Sequence, residues 1–174
     1  MLLTAEIVVL LVLLLIFIED IRSHEVHLVL FPIVAAGLLF TVLRRRNDWD
    51  ELWQSARVNL LFVVLVLLLL TAWFSLKEKR LVNITAQLLG WGDILFLVCM
   101  SLYFSILNYL FFYIASLLAV VIFWSAWRLL SKKDNRQIPL AGLQALLLAV
   151  YLSSDWWLLH FNAASDKWLL RFIY

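Results

Sequence analysis

The feature that most constrains this chain is the recurrence of long apolar stretches joined by short charged connections. Runs extend from about Leu2 to Ile18, Val26 to Leu43, Val58 to Leu76, Ile94 to Leu107, Tyr109 to Leu130 and Ile138 to Leu159. A helix that crosses a bilayer needs roughly 20 predominantly apolar residues, about 17 at the short end. Five runs meet that requirement alone, and the fourth does so only by taking in Leu88 and Leu89 or by starting below the interface. Ile94 to Leu130 is too long for one span, because 37 residues at about 1.5 Å each would reach roughly 55 Å against a hydrocarbon core of roughly 30 Å. A break is expected near Ser105 to Asn108.

Composition excludes a water-soluble alternative. With 66% hydrophobic and 15% charged residues and a mean hydropathy of +0.99, a soluble fold could not cover its apolar surface. The expected fold is an all-α integral membrane protein, a bundle of about six transmembrane helices in which residues 1–174 form a single domain. No internal repeat or Gly/Ser-rich linker divides it. The net charge of +2 comes from basic clusters between apolar runs, which read as topology signals and not as a nucleic-acid surface. One cysteine, Cys99, permits no intrachain disulfide and no four-cysteine zinc site. The first run is expected to be a retained helix and not a signal peptide, since Glu19-Asp20 follows it instead of a small-residue cleavage site. Pro139 suits the first turn of the last helix, and Trp156-Trp157 suit an interfacial aromatic belt near its other end.

Alternating spans put Arg22, Lys77, Lys79, Arg80, Arg128, Lys132, Lys133 and Arg136 on one side, and Arg44, Arg45, Arg46, Arg57, Lys167 and Arg171 on the other. Eight against six places the first set in the cytoplasm and the N-terminus outside.

Two places depart from what a simple bundle requires. The first is Gly90-Trp91-Gly92-Asp93, which holds two of the chain's four glycines at the entry to the fourth run. Glycines there allow positive φ or close helix approach beside Asp93, whereas the plainer reading is a turn with an acidic helix cap. The second is Glu19 to His27, the densest titratable cluster in the chain. On the plainer reading it is a solvated loop. A zinc site would need His-Glu-x-x-His, and His24-Glu25-Val26-His27 is one residue short, so no metal is expected.

Asp20 closes the first span and Asp93 opens the fourth, so an odd number of crossings puts both at one membrane face. Two carboxylates brought together in a partly desolvated site tend to share one proton, which makes one a base and the other an acid. Such a pair can activate water against a peptide carbonyl, or it can serve a proton or ion path.

With these residues in place, the chain resembles the type IV prepilin peptidases, membrane aspartyl proteases marked by a Gly-x-Gly-Asp motif. The likeness covers essentially the whole chain. An Asp-x-Arg step is matched by Asp20-Ile21-Arg22, the Gly-x-Gly-Asp motif by Gly90-Trp91-Gly92-Asp93, and a late Ile-Pro at a helix start by Ile138-Pro139. The resemblance implies a catalytic pair, Asp20 and Asp93, supported by Arg22, Gly90, Gly92, Ile138 and Pro139. It also implies no cofactor, a multi-pass inner (cytoplasmic) membrane location with the active site facing the cytoplasm, and a prepilin-like precursor as substrate. The chain departs from the family at Val26-His27-Leu28, where an Ile-Pro-Asn turn is common, and at Leu95, where a lysine is common. The lack of a cysteine-bearing insert points to the short, peptidase-only form. The alternatives are a proton- or ion-coupled transporter subunit, an inactive structural relative in a pilus or secretion assembly, and a relative of the presenilin and signal-peptide-peptidase group.

Overall fold

The computed structural model describes residues 1–23, 25–45, 49–79, 90–130, 139–160 and 162–166. Among them it is all-helical: α1 (Leu2–Ser23), α2 (Leu30–Arg45), α3 (Trp49–Glu78), α4 (Trp91–Ser101), α5 (Ile106–Leu130) and α6 (Leu140–Ser153), the last continued by a π-helical turn, Ser154–Leu159. Four helices are long and apolar enough to cross a membrane: Leu2–Ser23, Trp49–Glu78, Ile106–Arg128 and Leu140–Leu159. Consecutive helices run antiparallel, which gives the bundle two ends. One end carries the close of α1 and the starts of α4 and α6.

The helices are apolar nearly all round, and each buries one stripe of its surface against its neighbours. On α1 that stripe is Glu6, Val9, Val12, Leu13, Ile16 and Asp20, so a single face carries a carboxylate at each end with only aliphatic side chains between. α6 is the central element and packs on α1, α4 and α5, while α2 lies between α1 and α4 and α3 leans on α4 and α5. The inward residues of α6 include Ala141, Gly142, Ala145 and Ala149, small side chains that let neighbouring helices approach closely. α3 buries only Leu52, Ser55, Ala56, Asn59 and Val63. Beyond them, Leu65, Leu68, Leu69, Trp73 and Leu76 face outward, a surface that water would cover only at considerable cost.

Two of the six expected spans are shorter than their apolar runs. α2 starts at Leu30 instead of Val26 because the chain turns at His27, whose carbonyl accepts the Leu30 N–H at 3.0 Å. α4 stops at Ser101, so the break falls at Leu102 to Ser105, earlier than the sequence suggested. Buried Asn59 explains the position: its side-chain amide donates to the carbonyls of Ser101 at 3.4 Å and Phe104 at 2.9 Å. These are carbonyls that an interrupted helix leaves without partners. The restart is capped from a distance, since Asp166 Oδ1 accepts the N–H groups of Leu107 at 3.1 Å and Asn108 at 3.3 Å.

Close approach also shapes the α1–α2 pair. A Cβ added at Gly37 would lie 2.4 Å from Cγ2 of Val9, the atom of a stiff β-branched side chain on α1. Gly37→Ala is therefore expected to lower stability by about 1–3 kcal/mol through overpacking. Part of that loss should return in a Val9→Ala background. Thermal unfolding of the purified protein in detergent would check both, and equal losses in the two backgrounds would place the strain elsewhere.

Candidate functional site

The site is assembled at the first turn of α6. Pro139 is its N-cap rather than its first helical residue, and the Pro139 carbonyl accepts the first helical bond from the Leu143 N–H at 3.1 Å. The amides that follow have no partner within the helix and are free to bind acceptors elsewhere. The Gly142 N–H donates to Asp20 Oδ2 at 2.6 Å, a short bond of the kind expected between an amide and a carboxylate. The neighbouring Ala141 amide interacts, more weakly, with Asp93. The first turn of α6 thus binds Asp20 of α1 and packs against the start of α4, where an ideal Cβ at Gly92, the residue before Asp93, lies 3.9 Å from the Ala141 Cβ.

Asp20 ends the inward stripe of α1 and is 8% exposed. Asp93 is the third residue of α4 and half-buried. Its Oδ2 accepts the Gly90 N–H at 3.1 Å, so the capping alternative is realised in part: Gly90 is the N-cap, and Asp93 closes the bond back to it. The same carboxylate also feels the charge of Asp20. One side chain therefore terminates its own helix and lies within electrostatic reach of the other acid.

The remaining motif residues sort clearly. Arg22 is exposed in the last turn of α1. Gly90 and Gly92 have no positive φ, and a Cβ on either would meet its neighbours at 3.5 Å or more, an ordinary contact. The expectation that Gly92 needs an unusual backbone or an unusually close approach is thereby corrected. It sits in a regular helical turn with room for a methyl group beside Phe31 and Ala141. Ile138 and His24 lie outside the described residues.

Glu19, although adjacent to Asp20, is turned to another task. Its carboxylate accepts the His27 backbone N–H at 3.0 Å and meets the His27 ring nitrogen Nδ1 at 3.0 Å, which pins the α1–α2 turn. Among the described residues no three His, Cys, Asp or Glu side chains converge as a metal site would require.

The opposite end of the bundle holds a second polar cluster. Glu6, 3% exposed, pairs with Arg45 and accepts the Trp157 indole N–H at 3.2 Å. Asp155, 1% exposed, accepts the N–H groups of Asn162 at 2.7 Å and Ala163 at 3.1 Å and lies 3.3 Å from the Tyr103 hydroxyl. Trp156 is buried and donates to Tyr103 at 2.7 Å, so of the tryptophan pair only Trp157 remains at the surface, as an aromatic belt would require. Trp156 stands four residues beyond the inward Leu152 and so continues the buried face of α6, whereas Trp157 points to the neighbouring face.

Sequence reasoning missed the α6 amides. The available signal was Gly142, one of four glycines in the chain, three residues after a proline at a helix start. The packing of α6 on α4 can be tested without any activity. An ideal Cβ at Gly92 lies 3.9 Å from the Ala141 Cβ, close to the mean of about 3.8 Å in disulfides. Gly92→Cys/Ala141→Cys in a Cys99→Ser background should form a disulfide on mild oxidation. Loss of maleimide–polyethylene glycol labelling, restored by reductant, would report it, and persistent labelling of both thiols would count against the arrangement. Compared with known proteins, the chain matches no family model, no curated protein and no solved structure, so the role of the site has to be argued from its own chemistry.

Proposed function

We propose that this chain is a membrane aspartyl endopeptidase of the short prepilin-peptidase kind, with Asp20 and Asp93 as its catalytic pair. The observation that carries the reading is that Asp20, held by the first turn of α6, lies within electrostatic reach of Asp93, in a bundle whose other inward residues at that end are largely apolar. In the proposed reaction the ionised carboxylate takes a proton from water, and the water oxygen attacks the peptide carbonyl. The protonated carboxyl donates its proton to the developing oxyanion. The roles then exchange as the C–N bond breaks and the amine leaves protonated.

The substrate would be a prepilin-like precursor whose hydrophobic helix lies against the bundle while its basic leader stays in the cytosol. α2 and α4 would complete six spans together with their flanking residues, and the charge distribution would turn the Asp20–Asp93 end toward the cytoplasm. The buried stripe of α1 offers no relay along its own length. Between Glu6 and Asp20 it offers only Val9, Val12, Leu13 and Ile16, which cannot pass a proton.

Leader cleavage by membranes containing matched amounts of each variant, co-expressed with candidate precursors, would test the proposal. Asp20→Asn and Asp93→Asn keep the size of the side chain and remove the acid–base chemistry. Each should lower cleavage by about 10³-fold or more, and the double variant should be little worse than either. Glu19→Gln should retain most activity. Asp155→Asn is not a suitable control, because its buried carboxylate holds the end of α6. Wild-type-like cleavage by either Asn variant would end the peptidase reading. The proposed orientation predicts that a single cysteine at position 79 resists an impermeant thiol reagent applied from outside, and that one at position 45 becomes labelled once the outer face is opened by mild detergent.

A further inference from the structure

Gly142 is the glycine of this chain whose missing side chain matters most to the site. A Cβ built on it would lie 2.7 Å from the Asp20 Cβ, 2.9 Å from Oδ2 and 3.3 Å from Cγ. The nearest of these atoms is fixed to the α1 backbone and cannot rotate away. The requirement is one of distance and not of backbone freedom, since no glycine among the described residues has a positive φ. Gly90 and Gly92, the glycines of the Gly-x-Gly-Asp motif, show no comparable crowding.

Only with a hydrogen at this position can the first turn of α6 come near enough to α1 for the Gly142 N–H to reach Asp20 at 2.6 Å. A methyl group there would force the helices apart by roughly an ångström before the carbons reached ordinary contact. The adjacent Ala141 packs on the start of α4, its Cβ 3.9 Å from an ideal Cβ at Gly92, the residue before Asp93, so the same displacement would change where the two acids stand relative to each other. We infer that Gly142 is a positioning residue. It touches neither substrate nor scissile bond, and it sets Asp20 against Asp93 by admitting α6 to van der Waals contact with the base of the Asp20 side chain. The inference rests on the peptidase reading above and adds to it a residue that the motifs do not contain.

Misplacing a reacting group by about 1 Å can cost on the order of 10² in rate. Gly142→Ala should accordingly lower kcat for leader cleavage about 10²-fold, with KM within about twofold of wild type and most of the folded protein retained. Gly37→Ala is the comparison: it strains the α1–α2 packing away from the site and should reduce the yield of folded protein while leaving kcat per folded molecule near wild type. Wild-type kcat in Gly142→Ala, or losses in kcat that merely follow the folded fraction in both variants, would overturn the positioning role and leave the peptidase reading intact. Failure of the wild type to cleave any precursor would instead overturn that reading, and the positioning role with it. If Gly142→Ala alone is not recovered from membranes, Asp20→Gly/Gly142→Ala removes the opposing Cβ and should restore folded protein, as judged by detergent-exchange chromatography. Failure of that double variant to fold would contradict the proposed contact.

Discussion

A carboxylate placed among packed helices needs hydrogen-bond donors, because an unpaired charge there costs several kcal/mol. In this bundle the donors nearest at hand are the unsatisfied amides at a helix start: the Gly142 amide of α6 is bound to Asp20 of α1, and the same turn packs on the start of α4 beside Asp93. Much of the architecture at this end follows from that pairing. It draws α1 and α4 onto the same turn of α6, it demands a small residue where α1 comes closest, and it leaves Asp93 able to cap its own helix at the same time.

The two ends of the bundle solve the burial of polar groups differently. Where Asp20 and Asp93 meet, both groups are acids and the donors are backbone amides. At the other end Glu6 is paired with Arg45 and accepts the indole N–H of Trp157, while Asp155 accepts the backbone amides of Asn162 and Ala163. The first arrangement leaves two acids near one another, and the second ties each acid to donors of its own.

Much of the fold was legible because apolar runs separated by charged turns can form little other than antiparallel helices. The parity of crossings was enough to bring Asp20 and Asp93 to one end. The ends of the helices were harder to read, because distant partners set them: Asn59 on α3 stops α4, and Asp166 starts α5. No local pattern announces either. Trp156 looked interfacial because its place near a helix end says nothing of its register, four residues beyond the inward Leu152. Gly142 went unread for a related reason: its value lies in what a different helix places opposite it, whereas the more visible Gly92 stands where a methyl group would fit.

The inward stripe of α1 links these ends mechanically. Glu6 and Asp20 stand on one face of a single uninterrupted helix, 14 residues or about 21 Å apart. A helix of that kind transmits torsion as a shaft does. The attachment of Glu6 to Arg45 and Trp157 therefore fixes the azimuth of α1 as a whole. A twist of about 20° would sweep a side-chain oxygen some 5–6 Å from the helix axis through roughly 2 Å, farther than the bond between Asp20 and the Gly142 amide could follow. The aim of Asp20 is thus governed in part from the opposite mouth of the bundle, by an ion pair that never comes near it.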